Sequence, residues 1–144
     1  MNKKGGIWLF FVIGIIILIL VVGAGYFAWK YNQKIYAEKA LDEVNEVYIS
    51  VLKCMKDKAI ENGNVVTPQI GLDCRRFGSE IVRNELNPEY YGGKTNVDLS
   101  KEFPEKYQLL NLLVEATVRD DISYVNSALE EARKFYDIDS INYK

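Results

Sequence analysis

Cys54 and Cys74 are the most reactive side chains in a chain of 144 residues that contains no histidine. Their spacing fits neither a C-x-x-C redox pair nor a zinc site, which would need further ligands. Two readings remain: a disulfide, which requires an oxidising compartment, or two unrelated buried thiols. An even pair in a small domain favours the bridge, and closing a loop of this size would contribute about 3 kcal/mol by chain-entropy reasoning. Without histidine, serine and cysteine triads of the common kind are excluded. Carboxylates remain as acid–base candidates. Asp120-Asp121 and Glu130-Glu131 are adjacent acidic pairs, but sequence neighbours on a helix do not face each other. Glu115 lies between Val114 and Ala116 on an apolar stretch. A buried carboxylate there would be unusual, and a solvent-facing position is the plainer expectation. No calcium-loop spacing of oxygen ligands occurs, and Gly92-Gly93 lacks the context of a phosphate-binding loop. The expectation is a non-enzyme: no catalytic residue, no metal, no cofactor and no small-molecule substrate.

The elements that must position these residues begin with an uncharged run, IWLFFVIGIIILILVVGAGYFAW, at 7–29. Apolar runs of this length read as membrane spans, because a helix rising ~1.5 Å per residue needs about 20 residues to cross the hydrocarbon. Trp8 and Trp29 would stand roughly 31 Å apart on such a helix, and Trp and Tyr favour the two bilayer interfaces. Tyr26, Tyr31, Lys30 and Lys34 complete one belt, with Lys3 and Lys4 behind the other. A cleaved signal peptide would have a shorter apolar region of roughly 7–15 residues, although Val22-Gly23-Ala24 offers a cleavage site. A buried core helix would need a larger protein to surround it. The reading is a short tail at 1–6, a single transmembrane helix at 7–29 and a domain at 30–144, with the lipid bilayer as the first partner.

Lys3-Lys4-Gly5-Gly6 before a long apolar helix resembles the leader of type IV pilins and archaeal pilin-like proteins. In that family a dedicated peptidase cuts after a glycine, and the apolar helix becomes the core of a filament. The resemblance ends with the apolar run. The family often carries a glutamate five residues after the cut, where this chain has Phe10 or Phe11. It implies an alternative to the static anchor: a filament or assembly subunit with a processed leader.

Orientation rests on the rule that positive residues stay cytoplasmic. Lys3, Lys4 and the α-amino group flank one side; Lys30, Lys34 and Lys39, diluted by Glu38, flank the other. The near-tie is tipped by the cysteine pair toward a cytoplasmic N-terminus and a domain outside. All 20 acidic and 15 of the 18 basic residues lie beyond position 30, giving that part a net charge of −5. Nucleic acid, bound by neutralising phosphates, is therefore not expected. Arg75-Arg76 reads as a solvated surface pair.

The domain reads as all-α, a bundle of about four helices. Residues 35–62 lack Pro and Gly, and Ala37, Leu41, Val44, Tyr48, Val51 and Met55 step by four and three. Ala40, Val47 and Cys54 widen that stripe, opposite Lys39, Glu43, Glu46, Lys53 and Asp57. The stripe is too broad for a coiled-coil seam and suits packing in a bundle. No breaker separates it from Trp29, so anchor and first helix can be one continuous rod. Asn62-Gly63-Asn64 supplies a left-handed stop. VVTPQIGLD reads as an extended connector around Pro68, and Asp73 as the cap of a short helix from about Cys74 to Leu86, with Phe77, Ile81, Val82 and Leu86 inward. Residues 87–97 read as a loop whose Tyr90 and Tyr91 either mark a partner surface or fold back onto the core.

Pro104 suits an early helical position, and Phe103, Tyr107, Leu110, Val114 and Val118 repeat at helical spacing. With Leu109, Leu112 and Leu113, this is the candidate for the most buried helix. Asp120 or Asp121 caps the next, where Ile122, Val125, Leu129, Ala132 and Tyr136 face inward and Glu130 pairs with Lys134. Ala24 and Ala28 offer a weak helix-pairing cue inside the membrane. The expected role is a membrane-anchored interaction or structural module of the cell envelope that binds a protein partner or a second copy.

Overall fold

The computed structural model describes residues 3–78 and 87–143, and the side chains of these except at 3–5, 7 and 77. Among them are five α-helices and no strand: α1 (Lys3–Glu61), α2 (Pro68–Arg75), α3 (Asn96–Glu102), α4 (Pro104–Val118) and α5 (Ile122–Ala132). Short 3-10 turns lie at Arg76–Gly78 and Pro88–Tyr91. The chain divides into two units, Met1–Ile35 and Tyr36–Lys144.

The first unit is the apolar part of α1. Its best 18-residue window has a mean hydropathy of 2.9 with none of it buried, long and apolar enough to cross a membrane. Large side chains from Trp8 through Tyr31 point into the surroundings all around the helix. No break interrupts the helix between Trp29 and Ile35, as the absence of Pro and Gly predicts.

The second unit is a helical bundle around the 36–61 stretch of α1. Ala37, Ala40, Leu41, Val44, Tyr48, Val51, Cys54 and Met55 of the expected stripe are buried. So are Asn45, Ile49, Leu52 and Ala59, which lie beside it. The stretch is therefore covered on more sides than a one-faced helix, and it, rather than α4, is the most buried element. The stop after Glu61 has the expected form. Gly63 and Asn64 take positive φ values of 72° and 65°, and the Asn64 N–H donates to the Ala59 carbonyl at 2.7 Å.

Helix α4 runs parallel to this stretch. Lys106 near its start pairs with Glu38 and Asp42. Near its end, the Thr117 carbonyl oxygen would lie 3.9 Å from a Cβ built on Gly71, and Met55 Cε 4.0 Å. The buried residues of α4 are Leu109, Leu110, Leu113, Ala116 and Thr117. The expected stripe is thus rotated: Tyr107 and Val114 are half-buried and Val118 is exposed. Helix α5 returns antiparallel and buries Val125, Ala128, Leu129 and Ala132. It ends before Tyr136, whose ring is half-buried in the tail that follows.

Three local expectations are corrected. Pro68 does not sit in an extended connector: Thr67 caps a helix there, its Oγ1 accepting from the Ile70 N–H at 3.3 Å, with Pro68 at the first position. Asp73 lies inside α2 and caps nothing; the expected inward residues Phe77, Ile81, Val82 and Leu86 lie outside the described side chains. The loop expected at 87–97 ends sooner, because a helix begins at Asn96. Thr95 and Asp98 form a reciprocal capping box that starts α3, which satisfies two orphan backbone donors at once.

Candidate functional site

The apolar helix carries the first group of expected site residues. Trp8 and Trp29 are exposed, as are Tyr26 and Tyr31. Tyr26 packs against Trp29 with ring centroids 6.2 Å apart and planes tilted by 38°, and Lys30 Nζ lies 5.3 Å from the Tyr26 centroid. Neighbouring rings beside a cation form a patch that is apolar on one side and wettable on the other, which is the chemistry of a bilayer interface. The side chains of Lys3 and Lys4, the expected second belt, lie outside those described. Gly14 leaves a shallow apolar depression between Phe10, Phe11 and Leu18; it is the open face of a helix and has no polar group to orient a ligand.

In the domain, Cys54 and Cys74 come together at disulfide distance, with Cα atoms 5.7 Å apart. They join α1, about two turns before its C-terminal end, to the end of α2, and both are fully buried. Tyr91 is also buried, so it offers a partner no surface, and the fold-back alternative describes it. Tyr90 packs edge-on against it at 5.4 Å and is half-buried. Burial, and then a hydrogen bond to Glu43, push the Tyr90 hydroxyl up to about 12.

The strongest polar cluster was not among the expected residues. Lys106 Nζ bonds Glu38 Oε1 and Asp42 Oδ2, each at 2.9 Å. The Tyr136 hydroxyl donates to Asp42 Oδ1. Asn45 Nδ2 donates to the Lys106 carbonyl at 3.2 Å and to the Tyr136 oxygen at 3.1 Å. Asn45 Oδ1 is buried and has no hydrogen-bond partner among the described residues. Burial works against the Lys106 charge, but its two carboxylates outweigh it and hold the ammonium above its ordinary value. Burial first, and the bond to Asp42 second, raise the Tyr136 hydroxyl far above that of a free tyrosine. The knot locks α1, α4 and the tail together. Its one sequence signal is Asn45, a polar residue beside Val44 in an otherwise apolar stripe.

A second fastening lies farther along α1. Lys53 Nζ donates to the Ile138 carbonyl at 2.7 Å and also to that of Ile141. Tyr143 donates to Asp57 at 2.6 Å. The polar face of α1, expected to meet solvent, is thus partly covered by the tail.

The acid–base candidates do not converge. Glu115 is solvent-facing and pairs with Arg119. Asp121 caps α5 through Ser123, at 2.8 Å from its N–H, and Ser123 holds the carboxyl below its usual range. Glu130 reaches Arg133 at 3.5 Å, and Lys134 bonds Glu131 at 2.7 Å rather than Glu130. An open depression between α4 and α5, with Leu109, Leu112 and Phe135 below and Glu105 and Glu131 at its edge, brings no nucleophile beside a base. Among the described residues no group of three or more Cys, Asp or Glu is arranged to hold a metal ion. Compared with protein-family models, with curated proteins and with solved structures, the chain matches none.

Proposed function

We propose that this chain is a single-pass membrane protein whose N-terminal helix tethers a small helical domain outside the cytoplasm. The domain acts by holding a protein partner or a second copy, as an interaction or structural module of the envelope. The observation that carries the reading is the wholly unburied apolar stretch of α1, with mean hydropathy 2.9. Removing a leucine-sized side chain from water is worth about 1.5–3 kcal/mol, so such a run in water would drive aggregation, while hydrocarbon satisfies it. Its neighbouring Tyr26 and Trp29 rings beside Lys30 support a boundary at that end. The buried cysteine pair favours an oxidising side for the domain. A non-catalytic role fits a domain in which Glu115, Glu130 and Glu131 serve ion pairs and Asp121 a helix cap.

Fractionation of cells making the full chain tests the anchor. The protein should stay in membranes through an alkaline carbonate wash, and the domain should be cut by protease added to intact cells. An uncut chain that is monomeric in water without detergent would sink the anchor. A domain protected until lysis would reverse the orientation. The Lys3-Lys4-Gly5-Gly6 leader favours the pilin-like alternative, whereas the strand-free head of the described residues is unlike the β-rich heads of many pilins. Mass spectrometry separates the two: a mature terminus at Gly6 or Ile7 signals processing, and an intact Met1 end signals a static anchor.

A further inference from the structure

Helix α2 has eight residues, fewer than the ~12–15 at which an isolated helix becomes even marginal in water. Something must hold it in place. Of its residues only Gly71 and Cys74 are buried, and glycine contributes no side chain, so Cys74 supplies the single fully buried one. Ile70 rests half-buried on the core, while Leu72 is exposed. Asp73 reaches Lys58 at 4.0 Å, both side chains being more than a third exposed, and such pairs add little. The Thr67 cap, the Gln69–Asp73 bond and the bond from Arg75 Nε to the Gly71 carbonyl lie within the segment. They shape α2 without attaching it to anything. By contrast α4 buries five residues and α5 four.

We propose that the Cys54–Cys74 bond, rather than packing, fastens α2 to the bundle, giving the domain two states set by oxidation. In the closed state α2 covers Met55 and the end of α4. In the open state α2 is released, while the core of α1, α4 and α5 persists. Opening requires a dithiol that gives two electrons and two protons to the Sγ–Sγ bond. It leaves the Cys54 and Cys74 thiols and is itself oxidised to a disulfide. Both cysteines have no solvent exposure, so the exchange passes through a transient lifting of α2. The inference goes beyond the anchored-module reading and does not depend on it.

Hydrogen exchange on the full chain in detergent micelles tests the two states. Three samples are compared: the oxidised protein, the protein reduced by dithiothreitol in urea and returned to buffer with the reductant, and the C54A/C74A variant. Without the bond, the α2 amides should exchange about tenfold or more faster, and those of α4 and α5 within about twofold of their oxidised rates. Unchanged α2 protection would overturn the proposal, since packing would then suffice. Loss of protection throughout α4 and α5 would overturn it too, since the bond would then hold the whole bundle. The reduced protein keeps both sulfur side chains, so it separates the lost bond from the volume lost in the alanine variant.

Discussion

Two stretches of α1 have the same backbone geometry and opposite surroundings. Between Trp8 and Trp29 no side chain is buried, and every large apolar one but the half-buried Val12 is exposed; between Ala37 and Ala59 twelve residues are buried by the rest of the chain. Composition explains the difference. The first stretch is apolar on all sides, so no single neighbour could cover it. The second alternates apolar residues with Glu43, Glu46 and Asp57, which stay at the surface, and is covered on more than one side by the rest of the domain. One helix thus carries two solutions to the same problem: one looks outward for an apolar medium, the other builds its own.

That contrast can be broken or sharpened at three levels. The largest effect should come from deleting residues 1–30. The remaining chain should move wholly to the soluble fraction and keep a helical circular-dichroism spectrum. Recovery only as aggregates would mean that the domain cannot fold without residues 1–30. The next effect compares two leucines. Leu113→Ala, at a fully buried position, should lower the unfolding free energy of the domain by about 2–5 kcal/mol. Leu18→Ala, on the exposed stretch, should leave domain unfolding unchanged; equal losses in chemical denaturation would erase the distinction. The smallest is Tyr136→Phe, which removes the donor to Asp42 and should cost about 1 kcal/mol. Tyr136 and Lys106 both bind their protons more tightly in the fold. Their contributions are therefore complete below their unfolded values of roughly 10 and are lost as pH rises beyond. Denaturation followed against pH should show an alkaline decline that Tyr136→Phe makes shallower.

Much of the fold was legible because period is written in apolar residues. The stripe from Ala37 to Met55 and the stop at Asn62-Gly63-Asn64 are both found where spacing and turn chemistry put them. Helix starts were legible only when an apolar run followed. Asp121 before Ile122 was readable, whereas Thr67 before Pro68, and Thr95 with Asp98, start helices of eight and seven residues, too short to show a period. The choice of central helix failed for a physical reason. Nearly continuous Leu and Val made 104–118 look most buried, while Asn45 and the charges of 36–61 disguised a stretch enclosed on several sides. The cysteine pairing was legible as an even count. The knot of Asp42, Asn45, Lys106 and Tyr136 was not, because contacts of one side chain with a distant one leave no spacing to read.

That knot has a consequence for the birth of the molecule. The hydroxyl of Tyr136 and the carboxylate of Asp42 stand 94 residues apart in sequence, and Lys53 meets the Ile141 carbonyl across 88. A helix made early on the ribosome therefore waits for partners made much later, since loop closure must precede such distant contacts. Until Tyr136 emerges, the nascent domain carries Asn45 and Asp42 without their clasp, and a chaperone or a narrow exit channel would meet it in that unlatched form.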